Sequence, residues 1–499
     1  MNKFLLVAKV RLDEQFGISR MKHEKSIGKK MFHYVGRVTK VALFFIIGIV
    51  IYLCADTFAS NGYAKLLPVI GYILGAMIGY MFFILRLNGL LSSETDTDFL
   101  FSLPFPNAIQ AFMLYFKLYL ESTLCASLVE VPCALVYGNY VAVEPGFWGR
   151  WIVGLLMTIL PLGGYFAIIG NLASLTIASL RKRNMIKSLF TLGCIAGIMI
   201  GVLNTIYGIG MSLHKMSALP TEAACDNMIK VLETNLRLSR FYQTGVVENL
   251  TGKMFVFIGT SIIWYVGLMF IVCVGYQEFM LGFDEPATYK KYKLTESGDE
   301  PLSRLVFKRQ WKQFIHSKSY MQQSALGSVI AMILSGWICF RGGYELLALF
   351  GAEGMTHKVV LLLPVILCLF IGMSCTTYCS LSMDGKTHWI WATSPISDAL
   401  LYQANIRMNL VLTVPTAVLC GGMLAYAFRT SILGTTLYIV IPVLYAIIGA
   451  YWGMAVEKRF ADYSSISEQK LLSNSTSFFI GKLPQMVLPV IVGVIIVIL

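Results

Sequence analysis

The sequence predicts an all-α protein, a polytopic transmembrane helical bundle of about 11 spans arranged as a tandem parallel pseudo-repeat. Three observations predict it. Of 499 residues, 57% are hydrophobic and only 13% charged, with a mean hydropathy of +0.69, whereas soluble domains are about half apolar and about a quarter charged. Apolar stretches near 20 residues return along the whole chain, each long enough to cross a hydrocarbon core of about 30 Å. Finally, four short blocks of sequence recur in the same order roughly 290 residues apart, the signature of an internal repeat.

Taken in order, the apolar windows place spans at 40–58, 66–91, 110–137, 148–179, 186–211, 254–282, 324–342, 358–382, 402–428, 432–456 and 484–499. The first begins near Val41, behind a long basic stretch, and so reads as a true membrane helix rather than a cleavable signal peptide. Charge sets the orientation. With the N-terminus cytoplasmic, thirty of the forty Lys and Arg fall on the inner side, including the ten in residues 1–40, which satisfies the positive-inside rule. The net charge of +13 therefore has a membrane explanation, and nucleic acid is not needed as a partner. A multi-pass protein of the cell membrane, bacterial in character, is expected.

The repeat is carried by particular residues. Leu6-Val7-Ala8-Lys9 resembles Leu305-Val306-Phe307-Lys308, and Leu66-Leu67-Pro68-Val69-Ile70 recurs identically as Leu362-Leu363-Pro364-Val365-Ile366. Ser102-Leu103-Pro104-Phe105-Pro106-Asn107 resembles Thr393-Ser394-Pro395-Ile396-Ser397-Asp398, and Pro161 with Ala167-Ile168-Ile169-Gly170 resembles Pro442 with Ala446-Ile447-Ile448-Gly449. Six crossings separate equivalent points, so both copies face the same way, as parallel repeats do. The first half is placed at 1–282, a cytoplasmic linker at 283–322 and the second half at 323–499. The second half holds five spans, and the abrupt end at Leu499 reads as a truncated or degenerate sixth.

Two inner loops, 92–109 and 383–400, stand out. Each combines a charged start, an aromatic and apolar patch, and a proline followed by Asn or Asp that can cap a new helix. Such an element either docks on a partner or simply anchors a hairpin at the interface. Asp384-Gly385-Lys386 with Trp389 and Ser394-Pro395, and Asp98 with Leu100 and Ser102-Leu103-Pro104, resemble the loop patterns of the ABC-2-type exporter permeases. The resemblance covers both halves and is most specific in these loops. It implies that Asp98, Leu100, Leu103, Pro104, Asp384, Gly385, Lys386, Trp389 and Pro395 lie in ATPase-coupling elements. It also implies that the basic amphipathic stretches Lys3 to Phe16 and Leu305 to Phe314 form interfacial helices before each half. The chain would then be a transport subunit rather than an enzyme, with no cofactor of its own and with ATP and Mg²⁺ held by a separate ATPase, expected as a dimer. The chain departs from the family in lacking a twelfth span. Direction of transport, outward, comes from the resemblance, and the substrate stays unassigned.

No enzymatic motif competes with this reading. Gly385-Lys386-Thr387 ends like a phosphate loop, but Ser380 stands where its first glycine belongs. The six histidines form no HExxH or close cluster, so no metal site is expected. Ten of the eleven cysteines lie in or beside apolar spans and read as small hydrophobes; only Cys225 falls in the long polar loop, 212–253. In that loop Asn227 to Leu238, with Met228, Val231, Leu232 and Leu236, is expected to form a helix lying on the membrane or capping the outer mouth. Within spans, Lys117 and Glu121 sit one helical turn apart and can neutralise each other. Glu130, deeper and two residues before Pro132, is the candidate for a transport pathway, and a lone acid that caps loose backbone or faces water fits the same position. If Glu130 does carry transport, an ion- or proton-coupled secondary transporter is the alternative function.

Overall fold

The computed structural model describes residues 27–90, 107–161, 183–215, 221–235, 237–274, 300–349, 356–463, 471–472 and 475–498. Every regular element among them is helical. Eight stretches are long and apolar enough to cross a membrane: Phe44–Leu85, Leu118–Tyr140, Ser188–Ser212, Ser319–Arg341, Thr356–Met373, Asp398–Ala427, Ile432–Phe460 and Phe478–Ile496. The protein is thus an all-α, multi-span membrane protein. The first stretch contains two of the expected spans, because Gly62 (φ +90°) interrupts it between α1 (Ile27–Phe58) and α2 (Leu67–Leu90). The span expected at 148–179 is described as far as residue 161, including α4 (Phe147–Met157), and residues 162–182 lie outside the described ones. By internal packing the chain divides into two units, Met1–Ala178 with Asn204–Glu285, and Ser179–Leu203 with Pro286–Leu499. The division falls inside α5 (Arg183–Lys215).

In the first unit the most extensive pairing is α2 against α3 (Asn107–Tyr140). Gly71, Gly75 and Gly79 repeat every fourth residue and so line one face of α2. A Cβ at Gly71 would lie 2.8 Å from Cys133 Cβ, and one at Gly75 would lie 2.7 Å from Glu130 Cγ and 3.1 Å from the Ala126 carbonyl. One at Gly79 would meet Ile159 and the Ser122 carbonyl. Between membrane helices, where lipid is as apolar as leucine, close van der Waals contact across small residues drives association. The glycine stripe provides it. Helix α1 packs on α3 as well.

An aromatic knot closes this unit. Tyr72 of α2 stacks on Tyr242 of α7 (Arg237–Tyr242) at 4.3 Å, and Phe257 of α8 (Thr251–Val274) meets both edge-on. The polar loop at 212–253 includes α6 (Thr221–Asn235), which buries Cys225, Met228 and Leu232 in the same core as Ala59, Ala64 and Leu66. Residues 225, 228 and 232 share one helical face. Val231, expected on that face, is exposed, and Leu236 lies outside the described residues. Cys225 is therefore a core residue of the first unit, unlike its reading from sequence as a polar-loop residue.

Besides the first part of α5, the second unit contains α9 (Leu302–His316), α10 (Lys318–Arg341), α11 (Thr356–Met373), α12 (Asp398–Ala427), α13 (Ile432–Phe460) and α14 (Leu483–Ile498). Helix α12 packs on α13 and α10, while α11 packs chiefly on α14 and α13. The span expected at 358–382 is shorter than its apolar window, because the helix stops at Met373. Ser374 to Leu381 continue as turns with all their side chains buried.

Substituting Gly75→Val is expected to destabilise the protein by about 1–3 kcal/mol through overpacking. Gly259→Val, on α8 where nothing lies within 4 Å of a Cβ, should change stability by about 0.5 kcal/mol or less. Thermal unfolding of the two variants in detergent compares them.

Candidate functional site

Helix α11 ends where the sequence turns polar. Ser374-Cys375-Thr376-Thr377-Tyr378-Cys379-Ser380 is rich in short hydroxyl side chains that compete with the helix for backbone hydrogen bonds. Buried backbone away from water has to be paired, and the neighbouring helices supply partners. Asn409 Oδ1 on α12 accepts from the Thr376 N–H at 2.8 Å and from its hydroxyl at 3.1 Å. The Tyr320 hydroxyl of α10 donates to the Thr376 carbonyl at 2.9 Å, and the Tyr378 hydroxyl donates to the Leu472 carbonyl at 3.1 Å. At the far end, Glu457 Oε1 on α13 accepts from the Ser382 N–H at 2.8 Å and from its hydroxyl. That hydroxyl in turn accepts from the Asp462 N–H at 2.9 Å. Gln485 of α14 donates to the carbonyls of Gly449 and Gly481, tying α14 to α13.

From this anchored stretch the chain enters the loop singled out by sequence. Ser382–His388 forms a 3₁₀ turn bent at Gly385 (φ +49°, ψ −132°), a backbone conformation open to glycine, and a helical turn follows at Trp389–Thr393. The Asp384 carboxylate is fully buried and pairs with Arg309 of α9 at 2.8 Å. The same guanidinium lies over the Trp391 ring, 4.5 Å from its centre. Planarity lets one arginine turn an edge to the carboxylate and its face to the ring, a stack that a lysine ammonium does not reproduce. The His388 ring stacks on Tyr463 at 3.9 Å. Burial, with Glu457 next in effect, pushes the Tyr463 hydroxyl up to about 12, so the ring is an uncharged platform at neutral pH.

These contacts sort the loop into two faces. Trp391, which the sequence reading passed over, is half-buried and holds the loop to α9. Trp389 and Ile390 are 65% and 50% exposed, and Pro395 is exposed beside them. Of the expected coupling residues, Asp384 is thus an internal anchor, Gly385 the bend, and Trp389 and Pro395 the outward surface. Lys386 is described by its backbone alone. Asp98, Leu100, Leu103, Pro104 and the stretch Lys3 to Phe16 lie outside the described residues.

Glu130 is 2% exposed in the α2–α3 contact, against Gly75. The Thr158 side chain lies beside it, yet neither carboxylate oxygen is held in full hydrogen-bond geometry, and the Thr158 hydroxyl donates to the Gly154 carbonyl. Glu457, which sequence reading missed, is 0% exposed. Its signal was faint, one acid directly before Lys458-Arg459 at a helix end. Arg309 had been read only as part of a basic amphipathic stretch. Among the described residues no group of three or more His, Cys, Asp or Glu converges as a metal site would require.

No family model, no curated protein and no solved structure matches the chain.

Replacing Arg309 by Ala removes the ion pair and the ring contact together and leaves a buried carboxylate unpaired. Amide hydrogens of residues 384–391 are expected to exchange at least about tenfold faster. Arg309→Lys keeps the charge without the planar stack and should fall between wild type and Arg309→Ala. Hydrogen exchange read by mass spectrometry on the solubilised chain measures both.

Proposed function

We propose that this multi-pass membrane protein is the permease subunit of an ATP-binding cassette exporter of the ABC-2 type. It moves a substrate outward across the cytoplasmic membrane with ATP hydrolysed, with Mg²⁺, by a separate dimeric ATPase. In this reading the chain crosses the membrane eleven times from a cytoplasmic N-terminus. It is built as two parallel halves, 1–282 and 323–499, joined by a cytoplasmic linker, and has no catalytic residue of its own. The observation that carries the reading is the loop after α11. It is fixed from within by Asp384–Arg309, Trp391 and His388–Tyr463, yet presents Trp389 and Ile390 outward. Exposed aromatic and aliphatic side chains on a rigid base are what a protein partner buries as its strongest contacts. Motion imposed on such a loop passes into α9 through Arg309 and into α13 through Glu457, because those contacts leave it no independent freedom.

A second reading, an ion- or proton-coupled secondary transporter, is favoured by one observation, the carboxylate of Glu130 buried between α2 and α3 with no ion-pair partner among the described residues. Transport that persists in ATP-depleted vesicles and collapses with an uncoupler would establish it in place of the first.

For the permease reading, Trp389→Ala with Ile390→Ala should weaken ATPase association by about 2–4 kcal/mol while exchange protection of residues 384–388 stays at the wild-type level. Leu103→Ala with Pro104→Ala is expected to weaken the same association. Copurification of the ATPase with each variant is the measurement, and undisturbed association in both would reject the docking assignment.

A further inference from the structure

Helix α9 divides its cations by face. Val306, Gln310 and Phe314 repeat every fourth residue and are buried, and α9 packs on α12. Arg304, Lys308 and Lys312 repeat with the same period on the opposite side and are all exposed. Two residues of offset turn a side chain by about 200° around the helix, so the two rows are nearly antipodal. Arg309 alone is drawn inward, to Asp384 and Trp391. Residues 302–316 contain no acid. Lys308 meets Glu300 at 3.7 Å in an exposed pair, and no described residue pairs with Arg304 or Lys312. The stripe from Arg304 to Lys312 runs about 12 Å.

The position of the stripe tells which anion it meets. Extended backbone at Ser317 (φ −82°, ψ 108°) ends α9, and the apolar stretch Ser319–Arg341 begins two residues later. The cations therefore stand at the edge of a membrane-crossing helix, the level at which lipid phosphates lie. Phe307 and Trp311, stacked with ring centres 6.1 Å apart and half-buried, flank the stripe as interfacial aromatics do. We propose that Arg304, Lys308 and Lys312 form a binding surface for anionic phospholipid headgroups at the start of α10. Clustered juxtamembrane Lys and Arg hold such lipids electrostatically, each cation adding to the attraction within a Debye length. The lipid site does not rest on the permease reading. It fixes the depth of α9, and with it the base on which Asp384 and Trp391 are seated.

The test uses the full chain in phosphatidylcholine nanodiscs, titrated with soluble dioctanoyl-phosphatidylglycerol or dioctanoyl-phosphatidylcholine and read by native mass spectrometry. Wild type is expected to prefer phosphatidylglycerol on the order of 100-fold at low salt, with the preference shrinking as salt screens it. Arg304→Gln/Lys308→Gln/Lys312→Gln should abolish that preference. Lys308→Arg/Lys312→Arg should retain it, as should a control that removes three exposed cations elsewhere, Arg240→Gln/Lys253→Gln/Arg429→Gln. Unchanged melting temperatures establish that every variant is folded. A triple Gln variant that keeps its preference for phosphatidylglycerol overturns the proposal.

Discussion

A stretch of backbone that is neither helix nor sheet, sealed inside an apolar helical unit, has no water to satisfy its N–H and C=O groups. Residues 374 to 382 impose that requirement on the second unit, and its polar side chains are placed to answer it. Asn409, Tyr320 and Glu457 come from three different helices, yet each ends on the same short segment. Any one of them in a lipid-facing position would be costly; pointing inward, they replace the hydrogen bonds that a continued α11 would have made for itself. The outward loop inherits its rigidity from this arrangement, because Ser382 is both the last residue held by Glu457 and the first of the turn that carries Asp384.

The first unit solves its packing by different means. Its strongest helix pair relies on the absence of side chains at Gly71, Gly75 and Gly79 rather than on polar contacts. That pair also encloses Glu130, whose carboxylate has only the Thr158 side chain near it and no full-geometry hydrogen bond from the described residues. An ionisable group kept in so tight a place is a cost that packing alone does not explain, which is why it sustains a second functional reading and Glu457, with its Ser382 partners, does not.

How much of this was legible beforehand depended on the physical range of each feature. Apolar windows are local, so the eight apolar stretches lie close to where hydropathy places them. The end of α11 was hidden because Cys, Thr and Tyr count as neutral or apolar in a hydropathy window, while their hydroxyls and thiols favour leaving the helix. Asp384 and Trp389 were visible as members of a loop pattern, but their division into anchor and surface was not. It depends on Arg309, some 75 residues earlier in the chain, and sequence spacing cannot reveal such a pairing. Trp391 and Trp389 look alike in sequence, and only the position of one guanidinium separates them. On α6 the spacing identifies Met228 and Leu232 but also selects Val231, which is exposed, and passes over Cys225, because the surrounding loop is polar.

The glycine stripe also bears on how the first unit can move. Two helices in backbone-level contact have no rotamers to rearrange between them, so sliding or rolling one over the other would open voids with nothing able to fill them. Helices α2 and α3 therefore travel as a single strut. Displacement within this unit has to be taken up outside that contact, at the left-handed Gly62 ahead of α2; Pro132, between Glu130 and Cys133, is clamped within the strut.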